Sequence, residues 1–120
     1  MKSGKPDLCL VAKLYLGLKK HYRVVGNSMV PTLYQDDMVI YTPRRNINKV
    51  LKEGQIVIFD APINPERVKG GYFIGRISQI TSNGIDIRGD NEGDSIDSRD
   101  WGLIQANDVI GIVDRIVESQ

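Results

Sequence analysis

Between residues 37 and 117 the chain repeats one pattern: a short run rich in β-branched and aromatic residues, then a cluster of Gly, Asn, Asp or Ser. The runs are "DMVIYT" at 37–42, "GQIVIFDA" at 54–61, "GYFIGRISQI" at 71–80, "IDIR" at 85–88 and "DVIGIVDRIV" at 108–117. "TSNG" between the third and fourth has hairpin-turn chemistry. Short strands punctuated in this way predict a mainly β fold, a ribbon or barrel-like domain with little helix. "HYRVVG", residues 21–26, alternates in the same manner and adds a strand near the start. The length of 120 residues fits one domain, residues 1–120, with 1–20 as an N-terminal helical extension.

In that extension Leu8, Val11, Tyr15 and Leu18 fall at helical spacing within "LCLVAKLYLGL". The spacing predicts a short helix packed on the domain, with peripheral contact to a membrane as the alternative. The apolar stretch is shorter than the ~20 residues a spanning helix needs, and no small-residue cleavage site follows it. Neither a transmembrane span nor a signal peptide is therefore expected.

Sixteen Lys and Arg against fifteen Asp and Glu leave a net charge of +1. This balance disfavours a nucleic-acid-binding surface. A single cysteine, Cys9, excludes an internal disulfide and fits a reducing, cytoplasmic compartment. The only histidine, His21, sits among Lys19, Lys20 and Arg23 and reads as a surface residue. Asp90, Asp94, Asp97 and Asp100 lack calcium-loop spacing, so no metal and no cofactor are expected.

Two stretches carry chemistry. "VVGNSMVPTL", residues 24–33, places Ser28 between a strand-like run and a proline-anchored turn. "GDNEGDSIDSRDWG", residues 89–102, opens on turn residues. If it continues as an extended segment, Ser95, Asp97 and Arg99 share one face, because side chains alternate along a strand.

Taken together, "GNSMVPTL" and "GDNEGDSIDSRDWG" resemble the two motif boxes of the type I signal peptidase family. That family belongs to the serine–lysine peptidases that include LexA-like self-cleaving repressors. The short form looks most like the small proteases that mature nickel-type superoxide dismutase. The resemblance implies an endopeptidase that cuts a leader peptide from a precursor and binds that peptide extended against a sheet edge. It implies that Ser28 is the nucleophile and that its backbone N–H helps to hold the oxyanion. Met29 and Pro31 match residues that shape the turn and its floor. Ser95 matches the hydroxyl that orients the general base, and Asp97 and Arg99 match a structural ion pair.

A serine hydroxyl needs a base, which in this family is a lysine kept neutral by burial. Here "FIGRISQITSNGIDIRGDN" puts Gly75 at that position, and Arg76 beside it stays protonated and cannot serve. Lys69 is the candidate substitute, 41 residues after Ser28. It lies six residues before Gly75, about 20 Å along an extended chain, unless Gly70 and Gly71 fold it back. The alternatives are a catalytically inactive relative that binds peptides and an introduced change that disables catalysis. His21, seven residues before Ser28, would face the opposite side of a continuous strand.

Overall fold

The computed structural model describes residues 2–3, 8–44, 51–60, 72–94 and 98–117. Seven strands form one sheet: β1 (Lys2–Ser3), β2 (Lys20–Arg23), β3 (Met38–Pro43), β4 (Ile56–Phe59), β5 (Phe73–Thr81), β6 (Gly84–Arg88) and β7 (Val109–Val117). Six of them run antiparallel in the order β2-β3-β7-β4-β5-β6, and β1 adds in parallel to β7. The mainly β expectation holds, in the form of an open sheet. β7 organises it: its length lets β3 occupy one edge while β4 and β1 divide the other.

The alternation of side chains sorts the apolar residues onto two faces. Val39, Tyr41, Ile56, Ile58, Ile74 and Val113 pack with Val24, Met29 and Leu33 on one face. Val57, Phe59, Ile77, Ile85, Ile87, Ile104 and Val109 pack on the other. β4 is buried on both sides along its whole length, which explains its uninterrupted "IVIF". Each large buried side chain contributes about 1.5–3 kcal/mol.

One close approach needs glycine. A Cβ on Gly111 of β7 would collide with the ring of Tyr41 and the carbonyl of Thr42 on β3. The Tyr41 ring lies where that side chain would stand, and is itself buried.

The N-terminal helix α1 covers Leu8–Tyr15, shorter than its apolar spacing predicts. Gly17, at φ 78°, ends it, and the Leu18 N–H turns back to the Lys13 carbonyl at 3.0 Å. Leu18 consequently leaves the helix and is exposed, as is Leu8, whereas Leu10 is buried; the side chains of Val11 and Tyr15 lie outside the described residues. The expected packing face is corrected to that extent. Among the described residues no helix is long and apolar enough to cross a membrane.

Two variants test this packing. Gly111→Ala is expected to destabilise the protein by about 2–3 kcal/mol through overpacking, read as a lower denaturant midpoint with unchanged slope. Asp36 holds φ 73° in the turn before β3, a conformation glycine adopts freely. Asp36→Gly is expected to raise the melting temperature, because its exposed ion pair with Arg23 at 3.4 Å contributes little.

Candidate active site

Ser28 lies in the turn that follows β2. The Val30 N–H donates to the Asn27 carbonyl, and the Thr32 and Leu33 N–H groups donate to the Met29 carbonyl. Met29 and Leu33 are fully buried in the first core and pin the turn from below. Pro31 is exposed at its crown, and the Val30–Pro31 peptide is cis. Asp37 secures the far end: it is buried, and its carboxylate accepts from the Tyr34 N–H at 2.9 Å.

A second clamp reaches the turn from the β5–β6 hairpin. Arg76 donates from Nε and Nη2 to the two Asp90 oxygens at 3.0 and 2.9 Å, a bidentate pair. Its Nη1 donates to the Gly54 carbonyl at 2.9 Å. The Thr32 hydroxyl donates to Asp90 Oδ2 at 2.5 Å. Next to it, the Asn91 backbone N–H donates to the Ser28 carbonyl at 2.8 Å, and Asn91 Nδ2 donates to the Asn27 carbonyl at 3.0 Å. The two motif stretches thus meet at Ser28 and Asn91, which are more than 60 residues apart in sequence. Ser28 is half-buried, and its hydroxyl makes no hydrogen bond among the described residues.

The Asp90 carboxyl is held below the usual aspartate range, first by the Arg76 hydrogen bonds and then by the Thr32 hydroxyl and the Arg76 charge; burial opposes the shift. Arg76 is raised in turn, chiefly by its hydrogen bonds to Asp90.

Gly75 is buried on β5 opposite Val57, on the second face of the sheet. A Cβ there would stand 2.6 Å from Ile87 Cγ2 and 3.3 Å from both Phe59 Cε1 and the Arg88 carbonyl. The space beside Gly75 is therefore filled by side chains of the second core.

Arg99 does not extend the row expected from alternation. Residues 98–101 form a helical turn, α2 (Ser98–Trp101), and Arg99 Nη1 meets Glu92 Oε1 at 3.2 Å. Ser98 explains the local turn: its buried hydroxyl accepts the Ile87 N–H at 3.0 Å and draws this segment against β6. Ser95, Asp97 and Lys69 lie outside the described residues. His21 is exposed on β2, which ends at Arg23, so no continuous strand links it to Ser28.

The sequence reading missed Arg76, Asp90 and Thr32 as a unit. The signal lay in the hairpin. A bulge between Ile77 and Gln79 brings Arg76 opposite Arg88, which makes Asp90, two residues on, its diagonal neighbour.

The arrangement defines a class: an antiparallel scaffold that presents a serine on a doubly clamped turn. The family model for signal peptidases, "Signal peptidase, peptidase S26", matches residues 6–88, more than two thirds of the chain, and the chain belongs to that family. The matched span ends one residue before the second motif. Among curated proteins none matches the chain. Membership gives a signal peptidase-type hydrolase scaffold with a peptide as its substrate class.

Asp90→Asn is expected to cost about 2 kcal/mol at neutral pH, because it leaves Arg76 without its charged partner. A carboxyl with a lowered folded pKa contributes its full stability above the unfolded value, and that stability is lost as pH falls through the folded one. The variant's stability should therefore fall less steeply than wild type below the ordinary aspartate range, as measured by urea midpoints across the acid limb.

Proposed function

We propose that the chain engages the leader segment of a precursor protein and that Ser28 is the nucleophile of its cleavage, with slow turnover. The observation that carries this reading is the clamped turn, which fixes the Ser28 backbone while leaving the hydroxyl uncommitted. In this reading the peptide lies extended on a sheet edge, and Ser28 Oγ attacks the scissile carbonyl to give an acyl-enzyme. The hydroxyl proton passes through a base to the leaving amine, and water then releases the acyl group. Met29 and Pro31 shape the turn. Ser95 orients the base, and Asp97 and Arg99 support the second motif. Because Gly75 carries no amine, this reading nominates Lys69 as the base. The precursor of nickel-type superoxide dismutase is the substrate this reading proposes.

A second reading, binding without cleavage, is favoured by one specific observation. The position beside Arg76 lacks an amine, and Ile87 and Phe59 close the space a side chain there would enter.

A serine-directed acylating probe read by intact-mass spectrometry separates the two. The first reading expects stoichiometric labelling at Ser28 that disappears in Ser28→Ala and in Lys69→Ala. Peptide binding with no labelling supports the second. Gly75→Lys alone is expected to destabilise the protein by about 1–3 kcal/mol. Gly75→Lys combined with Ile87→Ala makes room for the new stem, and leader cleavage should rise about 10²-fold or more. A folded double variant with no gain would show that more than an amine is missing.

A further inference from the structure

At the opposite end of β2 and β3 from the Ser28 turn lies a second concavity, of about 280 Å³. Tyr41, Pro43, Tyr72, Val109 and Ile110 form its apolar wall, and Lys20 and Arg44 stand at its rim. Among the described residues no carboxylate lines it. Among the described residues neither Lys20 nor Arg44 has an ion-pair partner, although Lys19, next in the chain, is paired with Asp114 at 2.7 Å. The guanidinium of Arg44 is nonetheless held in place: Nη1 donates to the Ala106 carbonyl at 2.6 Å, which leaves Nη2 and Nε free to donate.

Tyr41 points independently to a ligand. Its side chain is only 5% exposed, yet its hydroxyl has no hydrogen-bond partner among the described residues. A hydroxyl that lines a concavity and makes no bond within the protein keeps its donor available for a ligand oxygen. The nearby Tyr22 differs, because its hydroxyl donates to the Tyr72 carbonyl at 3.0 Å. Burial, and then the proximity of Tyr72, push the Tyr41 phenol above its ordinary range, which keeps it protonated and able to donate.

We propose that this concavity binds a carboxylate carried on a small apolar body, with the anion received by Lys20, Arg44 and the Tyr41 hydroxyl. Two cationic donors and one neutral donor match the acceptor oxygens of a carboxylate, and the aromatic and aliphatic wall matches the apolar part. The volume falls just below that of drug-sized sites, so the ligand is fragment-sized: a free amphipathic acid, or an acidic residue beside an apolar one in a bound peptide. Gly111 belongs to this design. By lacking a Cβ it leaves the space against β7 that the Tyr41 ring occupies. The site is separate from Ser28, and its existence does not depend on cleavage.

Titration of the full chain with 3-phenylpropionate, followed by two-dimensional NMR, tests this. Saturable shifts are expected at the Tyr41, Tyr72 and Ile110 resonances, and 3-phenylpropionamide should produce none of them. Lys20→Met and Arg44→Met should each weaken binding about tenfold. Tyr41→Phe should weaken it about threefold while leaving the melting temperature unchanged, because the hydroxyl makes no bond within the protein among the described residues. A purely structural tyrosine would show the reverse. Blocked tetrapeptides containing Phe-Asp or Phe-Asn identify the source. Tighter binding of the Phe-Asp peptide than of the free acid assigns the carboxylate to a protein chain, and the opposite order assigns it to a small molecule. Absence of saturable binding by either acid, equal binding of acid and amide, or unchanged affinity in the Lys20→Met/Arg44→Met double variant would overturn the proposal.

Discussion

The structure around Ser28 depends on one carboxylate. Asp90 accepts two hydrogen bonds from Arg76 and one from Thr32, and so joins the β5–β6 hairpin to the turn that carries the serine. A turn of Gly, Asn, Ser and Pro buries little surface of its own and has only Met29 and Leu33 to hold it to the core. Hydrophobic packing is not directional, so it fixes the turn's depth more firmly than its orientation. The bidentate pair supplies orientation, and its neighbour Asn91 carries that orientation directly to the Ser28 carbonyl.

The two faces of the sheet explain why the Arg76–Asp90 pair and the packing at Gly75 are independent of each other. Arg76 and Gly75 are adjacent on β5, and adjacent strand residues point to opposite faces. Arg76 points toward Asp90. Gly75 points toward Ile87 and Phe59 in the second core. A substitution at Gly75 therefore bears on the second core and leaves the Arg76–Asp90 clamp in place.

Much of the fold was legible because burial imposes a period. The β-branched runs at 37–42, 54–61, 71–80 and 108–117 overlap the strands Met38–Pro43, Ile56–Phe59, Phe73–Thr81 and Val109–Val117, and the TSNG turn closes the β5–β6 hairpin. The meeting of the two motif stretches followed from their resemblance to family boxes and not from periodicity. What stayed hidden depended on local detail. The bulge between Ile77 and Gln79 shifts register by one residue and decides which residue faces Asp90. At Arg99 a helical turn, Ser98–Trp101, stands where an extended segment was expected, and the Ser98 hydroxyl there captures the Ile87 N–H, a long-range bond that no window of sequence displays. The Tyr41–Gly111 contact likewise joins residues on neighbouring strands that are distant in the chain.

The central claim is that Asp90 orients the serine turn through Asn91. Native-state hydrogen exchange at the Asn91 and Leu33 amides, compared between wild type and Asp90→Asn, measures it directly. The Asn91 amide, bonded to the Ser28 carbonyl, should lose protection well beyond the loss in global stability, while Leu33, bonded within the turn, falls only in step with it. Equal loss at both amides, or unchanged protection at Asn91, would contradict the account.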